Sequence, residues 1–287
     1  MSGVIAAIYS SFFLALSQAS LKKSYRELPP SVAFFFDMVF GVLLWLPLAI
    51  YFGVNLASFN EVLIYAIISA ILSEAVVFYA LSKGQLSITS ILIGSYPIYT
   101  ILFSFLINKE LLTLSQSLFV ALTIIGTLIS YLPSKLSREE LKKSGALIWP
   151  LIAAVGIGLS DTLSKKIITK TEDFTFLFVL ALVQIPVAFI YLKLEKQNII
   201  KKMQVIRQKA YDYKNAIAGS LFNIIGTGLL WIAFSRTLAS IASPITATSG
   251  VLVIIISLLF LDEKISLRQI LGILLVFGGI IGLVTLG

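Results

Sequence analysis

Ten stretches of 18 to 24 mostly apolar residues follow one another along this chain, joined by short polar connections. A helix that crosses the hydrocarbon core of a bilayer needs about 20 such residues. The stretches are 4–21, 32–53, 61–82, 86–107, 115–132, 145–168, 174–194, 214–237, 240–260 and 268–286. They predict an all-α integral membrane protein with ten transmembrane helices. Composition agrees. Only 13% of the 287 residues are charged and 58% are hydrophobic, whereas soluble domains carry about 25% charged residues. Val4 to Ala19 ends in Ser17-Gln18-Ala19, which loosely resembles a signal-peptide cleavage site. No Lys or Arg precedes Lys22, so the basic n-region of a signal is missing and the segment is read as the first membrane helix.

The ten spans are not independent. Ala80-Leu81-Ser82-Lys83, Ser87-Ile88-Thr89-Ser90, Glu110, Gln116 and Gly126 recur, 153 residues later, as Ala233-Phe234-Ser235-Arg236, Ser240-Ile241-Ala242-Ser243, Glu263, Gln269 and Gly279. About 14 of the 47 positions from Ala80 to Gly126 are identical at that offset, a weak internal symmetry of the kind that marks duplicated transporters. The ends of the first and sixth spans correspond as well: Ser17 with Lys22-Lys23 matches Ser160 with Lys165-Lys166. Equivalent positions are five spans apart, so the two copies would cross the bilayer in opposite directions. The most polar connection of the first two thirds, Pro133 to Ser144, is the natural hinge. The expected units are 1–137 and 138–287, each a five-helix repeat.

Several function classes are excluded by what is missing. Cysteine and histidine are both absent. This removes disulfides, thiol nucleophiles, thiolate and imidazole metal sites, and histidine acid–base chemistry. No phosphate loop or nucleophile–base pair is present either. The expectation is therefore not an enzyme, with no cofactor and no metal. The net charge of +8 comes from basic residues in short loops, which suits anionic lipid headgroups rather than nucleic acid. Lys193 to Lys214 is the most basic connection, and Ile199, Met203, Ile206 and Ala210 fall on one helical face within it. It reads as a short amphipathic helix in the headgroup layer or as a solvated basic loop.

Loops rich in Lys and Arg tend to be cytoplasmic. The odd-numbered connections hold about 17 such residues and the even-numbered ones about 5. This bias places both termini outside. Lys165, Lys166 and Lys170 vote the other way, and lysines at helix ends can snorkel.

Leu261-Asp262-Glu263-Lys264-Ile265-Ser266-Leu267-Arg268-Gln269-Ile270-Leu271-Gly272, followed by Gly278-Gly279, resembles the EamA-type repeat of the drug/metabolite transporter superfamily. Asn108-Lys109-Glu110 with Thr113, Gln116 and Gly126 is similar in weaker form. The resemblance spans the whole chain as two five-helix units and does not specify a substrate. It implies a ten-helix carrier with a central cavity lined by spans 1, 3, 4, 6, 8 and 9, spans 5 and 10 being peripheral. It also implies cytoplasmic termini, opposite to the charge bias. Members of the superfamily export amino acids and other metabolites, or exchange nucleotide sugars and sugar phosphates.

Ionisable groups at membrane depth default to functional candidates. Glu74 lies well inside the third span, and its repeat equivalent is Thr227. Symmetry broken at that position suits a site for one asymmetric substrate, so Glu74 is the candidate for substrate binding and for proton coupling. Asp161 in the sixth span corresponds to Gln18 in the first, and it lies one turn from Lys165, which allows a helix-end ion pair. Asp37, near the start of the second span, reads as an interfacial or capping residue. Ser17, Tyr79, Tyr96, Tyr99, Ser160, Asn223, Thr227 and Trp231 complete the substrate-binding set, along with Ser95 and Thr248 as polar residues of similar depth. Hydroxyls and amides can orient a ligand, and Tyr and Trp supply an apolar wall. Lys83 and Arg236 read as helix-end anchors. Thr113-Leu114-Ser115-Gln116 and Ser266-Leu267-Arg268-Gln269 both fit a capping box, so Glu110 and Glu263 beside them read as structural. Gly126, Gly272, Gly278, Gly279 and Gly282 suit close helix packing, within one chain or across a homodimer.

The function expected is secondary-active, alternating-access transport of small metabolites, with amino acids or related amphiphilic amines as cargo for export. The alternative is a sugar-phosphate or nucleotide-sugar exchanger, with Lys83, Lys165, Lys166 and Arg236 facing the cavity. The expected partners are a small-molecule substrate and the lipid bilayer of the cell membrane, with no nucleic acid. A monomer is expected, and a homodimer is the alternative.

Overall fold

A computed structural model of the chain describes residues 2–24, 29–55, 59–83, 92–131, 145–208, 213–261 and 266–285. Among these residues the secondary structure is helical, without strands. The elements are α1 (Gly3–Ser24), α2 (Pro30–Phe52) and α3, which runs Phe59–Ser69, passes through a π-helical turn at Ala70–Ala75 and continues as Val76–Lys83. Next come α4 (Tyr96–Phe103, ending in a π-helical turn Ser104–Asn108), α5 (Leu114–Tyr131), α6 (Gly145–Ile168) and α7 (Asp173–Leu194). A short helix α8 (Ile199–Gln208) precedes α9 (Lys214–Arg236). Then α10 runs Ala239–Ala247 and, past Thr248, Ser249–Leu261, and α11 is Leu267–Thr285. Six helices among the described residues are long and apolar enough to cross a membrane, and Leu92–Asn108 and Leu114–Ser130 are shorter apolar ones. Helix α8 lies in the basic connection, as the helical reading expects; of the apolar face, Ala210 and the Ile206 side chain lie outside the described residues. The ninth span is not one continuous helix: it breaks at Thr248, four residues after Pro244, which lies inside the first part.

Local chemistry explains the helix ends. Pro30 follows Pro29 at the first position of α2, where a missing N–H costs nothing. Glu172 caps α7, accepting from the amides of Phe174 (2.9 Å) and Thr175 (2.6 Å). Both expected capping boxes form. The Thr113 amide donates to Gln116 Oε1 (3.0 Å) and the Gln116 amide donates back to Thr113 Oγ1 (3.2 Å). Ser266 and Gln269 do the same at 3.0 and 3.3 Å.

Burial runs inside out relative to a water-soluble protein. Leu43, Ile50, Tyr51, Leu114, Leu274 and Ile281 are exposed on the rim, while Asp37, Asp161, Gln184 and many hydroxyls are buried inside. This is the distribution expected where lipid is the outer solvent. Helix α1 packs mainly on α9 and on α10, α6 on α3 and on α4, α2 on α7, and α5 on α11. Glycine sets the closest of these approaches. A Cβ on Gly126 of α5 would stand 2.7 Å from the Gly272 carbonyl of α11, and one on Gly279 would stand 2.3 Å from Thr123 Oγ1. These glycines therefore serve packing within the chain, and Gly278 alone among the five expected has open space before it.

The even-numbered connections meet on one face. Lys170 pairs with Glu61 (2.8 Å), Arg236 pairs with Asp173 (3.2 Å), and the Asn55 amide donates to Thr175 Oγ1 (3.2 Å). On the opposite face the Ser31 amide donates to Glu195 Oε2 (3.1 Å).

Candidate functional site

Glu74 sits in the π-helical turn of α3. Such turns open the backbone ladder and often accompany functional sites. The turn is pressed against α6, where a Cβ on Gly156 would collide with the Leu72 carbonyl. Glu74 lines a pocket with Met38 and Trp45 of α2, Leu177, Leu180, Ala181 and Gln184 of α7, and Asn223, Ile224, Thr227 and Trp231 of α9. Its free volume is about 10 Å³, room for hardly more than one water. Among the described residues no hydrogen bond or ion pair engages the Glu74 carboxylate, and it lies within electrostatic reach of both Asp37 and Asp161.

Glu74 apart, the polar side chains of the pocket each donate to a protein acceptor. Asn223 Nδ2 donates to Asp37 Oδ2 (2.7 Å). Gln184 Nε2 donates to the Ala66 carbonyl (3.3 Å). Thr227 Oγ1 donates to the Asn223 carbonyl one turn back (2.8 Å). Trp231 packs edge-on against Phe176 and closes the apolar side.

The other expected residues fall into separate networks. Asp161 Oδ2 accepts from Thr100 Oγ1 (3.1 Å) and Ser243 Oγ (2.7 Å), and Tyr96 OH donates to the Ser243 carbonyl (3.2 Å). Tyr99 packs beside Tyr96 in a small cluster with Ala154 and Ala247. Asp161 is thus held by hydroxyls of α4 and α10, whereas Lys165 Nζ donates to the Phe234 carbonyl. Ser160 joins Tyr65 OH (3.1 Å) and Ser69 Oγ (3.0 Å). Gln18 Nε2 donates to Ser249 Oγ (3.2 Å), and Ser17 is buried with its hydroxyl unpartnered. Tyr79 packs edge-on against Trp149 at the start of α6. Ser95 folds back on the Leu92 carbonyl, and Thr248 meets Ser11 across α1 (2.9 Å). Lys83 and Glu263 lie outside the described side chains.

So Glu74, Asn223, Thr227 and Trp231 come together, and Gln18, Asp161, Tyr79, Tyr96, Tyr99, Ser17 and Ser160 do not join them. The cavity expected between spans 1, 3, 4, 6, 8 and 9 is here a pocket between α2, α3, α7 and α9. Side chains of α1, α4, α6 and α10 bond across these helices instead: Ser11 to Thr248, Gln18 to Ser249, and Thr100 and Ser243 to Asp161. Asp37 corrects the interfacial reading. It is 1% exposed and stands seven residues past Pro30, about 10 Å along the helix axis. Gln184 was missed altogether, although an amide in the middle of an apolar span is itself a signal.

These features define an all-helical membrane protein with an acid-bearing pocket enclosed between its helices. The chain belongs to the EamA-like transporter family, whose model matches residues 1–132 and 144–285. It is similar to the pseudopaline exporter CntI of Pseudomonas aeruginosa, with 25% identity over 271 residues, 88% of this chain and 94% of that protein. It is also 33% identical, over 136 residues, to an uncharacterised protein of Methanocaldococcus jannaschii; these residues are 93% of that protein and 47% of this chain. A crystal structure with a TM-score of 0.76 shares the fold at 14% identity, covering 98% of this chain and 94% of the other.

Proposed function

We propose that this chain is a secondary carrier that exports small metabolites, amino acids or related amphiphilic amines, by alternating access between two inverted five-helix repeats, 1–137 and 138–287. The observation that carries the cargo assignment is the Glu74 carboxylate, which lines the pocket with no cationic partner among the described residues. A carboxylate without an internal counter-ion suits a substrate that brings positive charge. Two of the four basic residues that a sugar-phosphate exchanger would turn inward are engaged elsewhere: Lys165 on the Phe234 carbonyl, and Arg236 on Asp173. A relative that is itself an exporter supports the direction of transport.

Three observations support the repeat. Exchanging the first five spans for the last five converts the α1–α9 contact into α6–α3 and the α6–α4 contact into α1–α10, and returns α2–α7 and α5–α11 to themselves. The family model matches two successive segments. A relative nearly all of whose length aligns with 47% of this chain has the size expected of one unit. The nearly closed pocket supports alternation, because a solute of metabolite size enters only if the helices around it part.

Proton coupling through Glu74 is tested with Glu74→Gln in proteoliposomes. Uptake driven by a pH gradient is abolished, while substrate exchange is spared. Unchanged gradient-driven uptake removes Glu74 from the coupling. The loop charges favour external termini in the cell membrane, and the family resemblance favours cytoplasmic ones. A single cysteine at Ser2, in a chain with no other cysteine, decides between them by labelling from one side.

A further inference from the structure

The pocket wall carries a consistent polarity. Asn223 and Gln184 both line it, and both point their NH2 groups at protein acceptors: Asp37 Oδ2 (2.7 Å) and the Ala66 carbonyl (3.3 Å). Asp37 Oδ2 accepts from the Asn223 NH2 group, so the contact sets which end of the Asn223 amide faces it. No protein donor reaches the Asn223 or Gln184 carboxamide oxygen among the described residues, and neither oxygen is a buried orphan. The Thr227 hydroxyl spends its hydrogen on the Asn223 carbonyl, which leaves its lone pairs. Glu74 adds two further acceptors. Gln184 and Asp37 are each 1% exposed, so this arrangement is built into the core.

We infer that Asp37 is a positioning residue that turns Asn223 so that the pocket presents acceptors, and that the group recognised is a primary ammonium with several N–H donors. This rests on the amine-exporter reading above and narrows it. Trp45 and Trp231 give the bound cation aromatic neighbours, which attract primary and quaternary ammonium groups alike. Discrimination between the two therefore comes from the oxygens. A quaternary ammonium has no hydrogen to give them and leaves them desolvated and unpaired.

The experiment uses the full chain in detergent, with 2-phenylethylamine and its N,N,N-trimethyl derivative as probes and glucose 6-phosphate as the control. The primary amine binds the wild type at least about tenfold more tightly than the trimethyl compound, as expected when a charged donor satisfies waiting acceptors. In Asp37→Asn the new amide can donate to Asn223, whose own amide is then free to turn, and the ratio falls to within about threefold, less than a single hydrogen bond's worth. Asn223→Ser loses the amide oxygen, and its shorter side chain withdraws its hydroxyl from Asp37. It weakens the primary amine about tenfold and leaves the trimethyl compound unchanged. This second variant keeps the test decisive if Asp37→Asn does not fold.

Equal binding of both amines by the wild type overturns the acceptor assignment and leaves the amine-exporter reading standing. An unchanged ratio in Asp37→Asn, or unchanged primary-amine binding in Asn223→Ser, overturns the positioning role. Binding of glucose 6-phosphate with neither amine bound overturns the exporter reading itself.

Discussion

Glu74 and Glu110 are both glutamates set in apolar sequence, and their surroundings are opposite. Glu110 is 8% exposed and follows the π-helical end of α4. Its Oε1 accepts from the Ala239 amide (3.0 Å), and its Oε2 accepts from the Ser240 amide (3.0 Å) and hydroxyl (2.7 Å). It caps α10 from across the molecule, placing a negative charge where a helix start is positive. Glu74 has neither donor nor counter-ion among the described residues. Burial and residue type are therefore shared by a structural acid and a candidate working one. What separates them is whether their oxygens are already spoken for. The repeat agrees: Glu110 is matched by Glu263, and Glu74 is replaced by Thr227.

The sharpest way to break this comparison is to remove each carboxylate and measure thermal stability. Glu110→Ala leaves two amides and a hydroxyl without their acceptor and should cost about 2–3 kcal/mol, seen as a large fall in melting temperature. Glu74→Gln removes a desolvated charge that nothing compensates, so the melting temperature should hold or rise. A Glu74→Gln protein that loses as much stability as Glu110→Ala would make Glu74 structural too.

A third acid lies between these extremes. Asp161 is 4% exposed and is held on one oxygen by Thr100 and Ser243. Ser243→Ala should cost about 1.5 kcal/mol by removing one donor from a buried carboxylate. If Asp161 is wholly structural, amine binding is unchanged in this variant. Altered amine affinity would move Asp161 into the site beside Glu74, with which it interacts electrostatically.

Legibility followed the same divide. Features written in a few neighbouring residues were readable: the apolar spans, the Thr113–Gln116 and Ser266–Gln269 boxes, helix α8, and Glu74 as a charge deep in a span. Features that depend on which helix faces which were not. Asp37 was discounted because its neighbours in sequence suggest a helix start, whereas its partner Asn223 is 186 residues away. Tyr79 and Trp231 were grouped by depth, yet one packs on Trp149 and the other lines the pocket. That Glu110 is structural is legible in the sequence, but its target is not. The helix it caps begins 129 residues later.

Local and long-range capping can be set against each other directly. Gln116→Ala breaks one arm of a box within a single turn, at an exposed site, and should cost about 1 kcal/mol. That is less than Glu110→Ala, because water can replace the lost acceptor at Thr113. Equal losses would mean that the clasp on α10 contributes no more than an ordinary exposed cap.

The smallest effect is expected from the Lys170–Glu61 pair, which ties the same face of the molecule as the Glu110 clasp. Its two side chains are 47% and 49% exposed. Solvent screens such a pair, and holding two long side chains in place opposes the attraction, so Lys170→Ala should cost at most about 0.5 kcal/mol. That small loss should vanish in high salt, whereas the Glu110→Ala loss should persist, because buried groups are screened much less. The two variants measured at low and high ionic strength thus separate a solvent-screened pair on this face from a buried clasp on it. If alternating access requires the face to open, Glu110→Gln should increase labelling of a cysteine placed at Thr227, and Lys170→Ala should not.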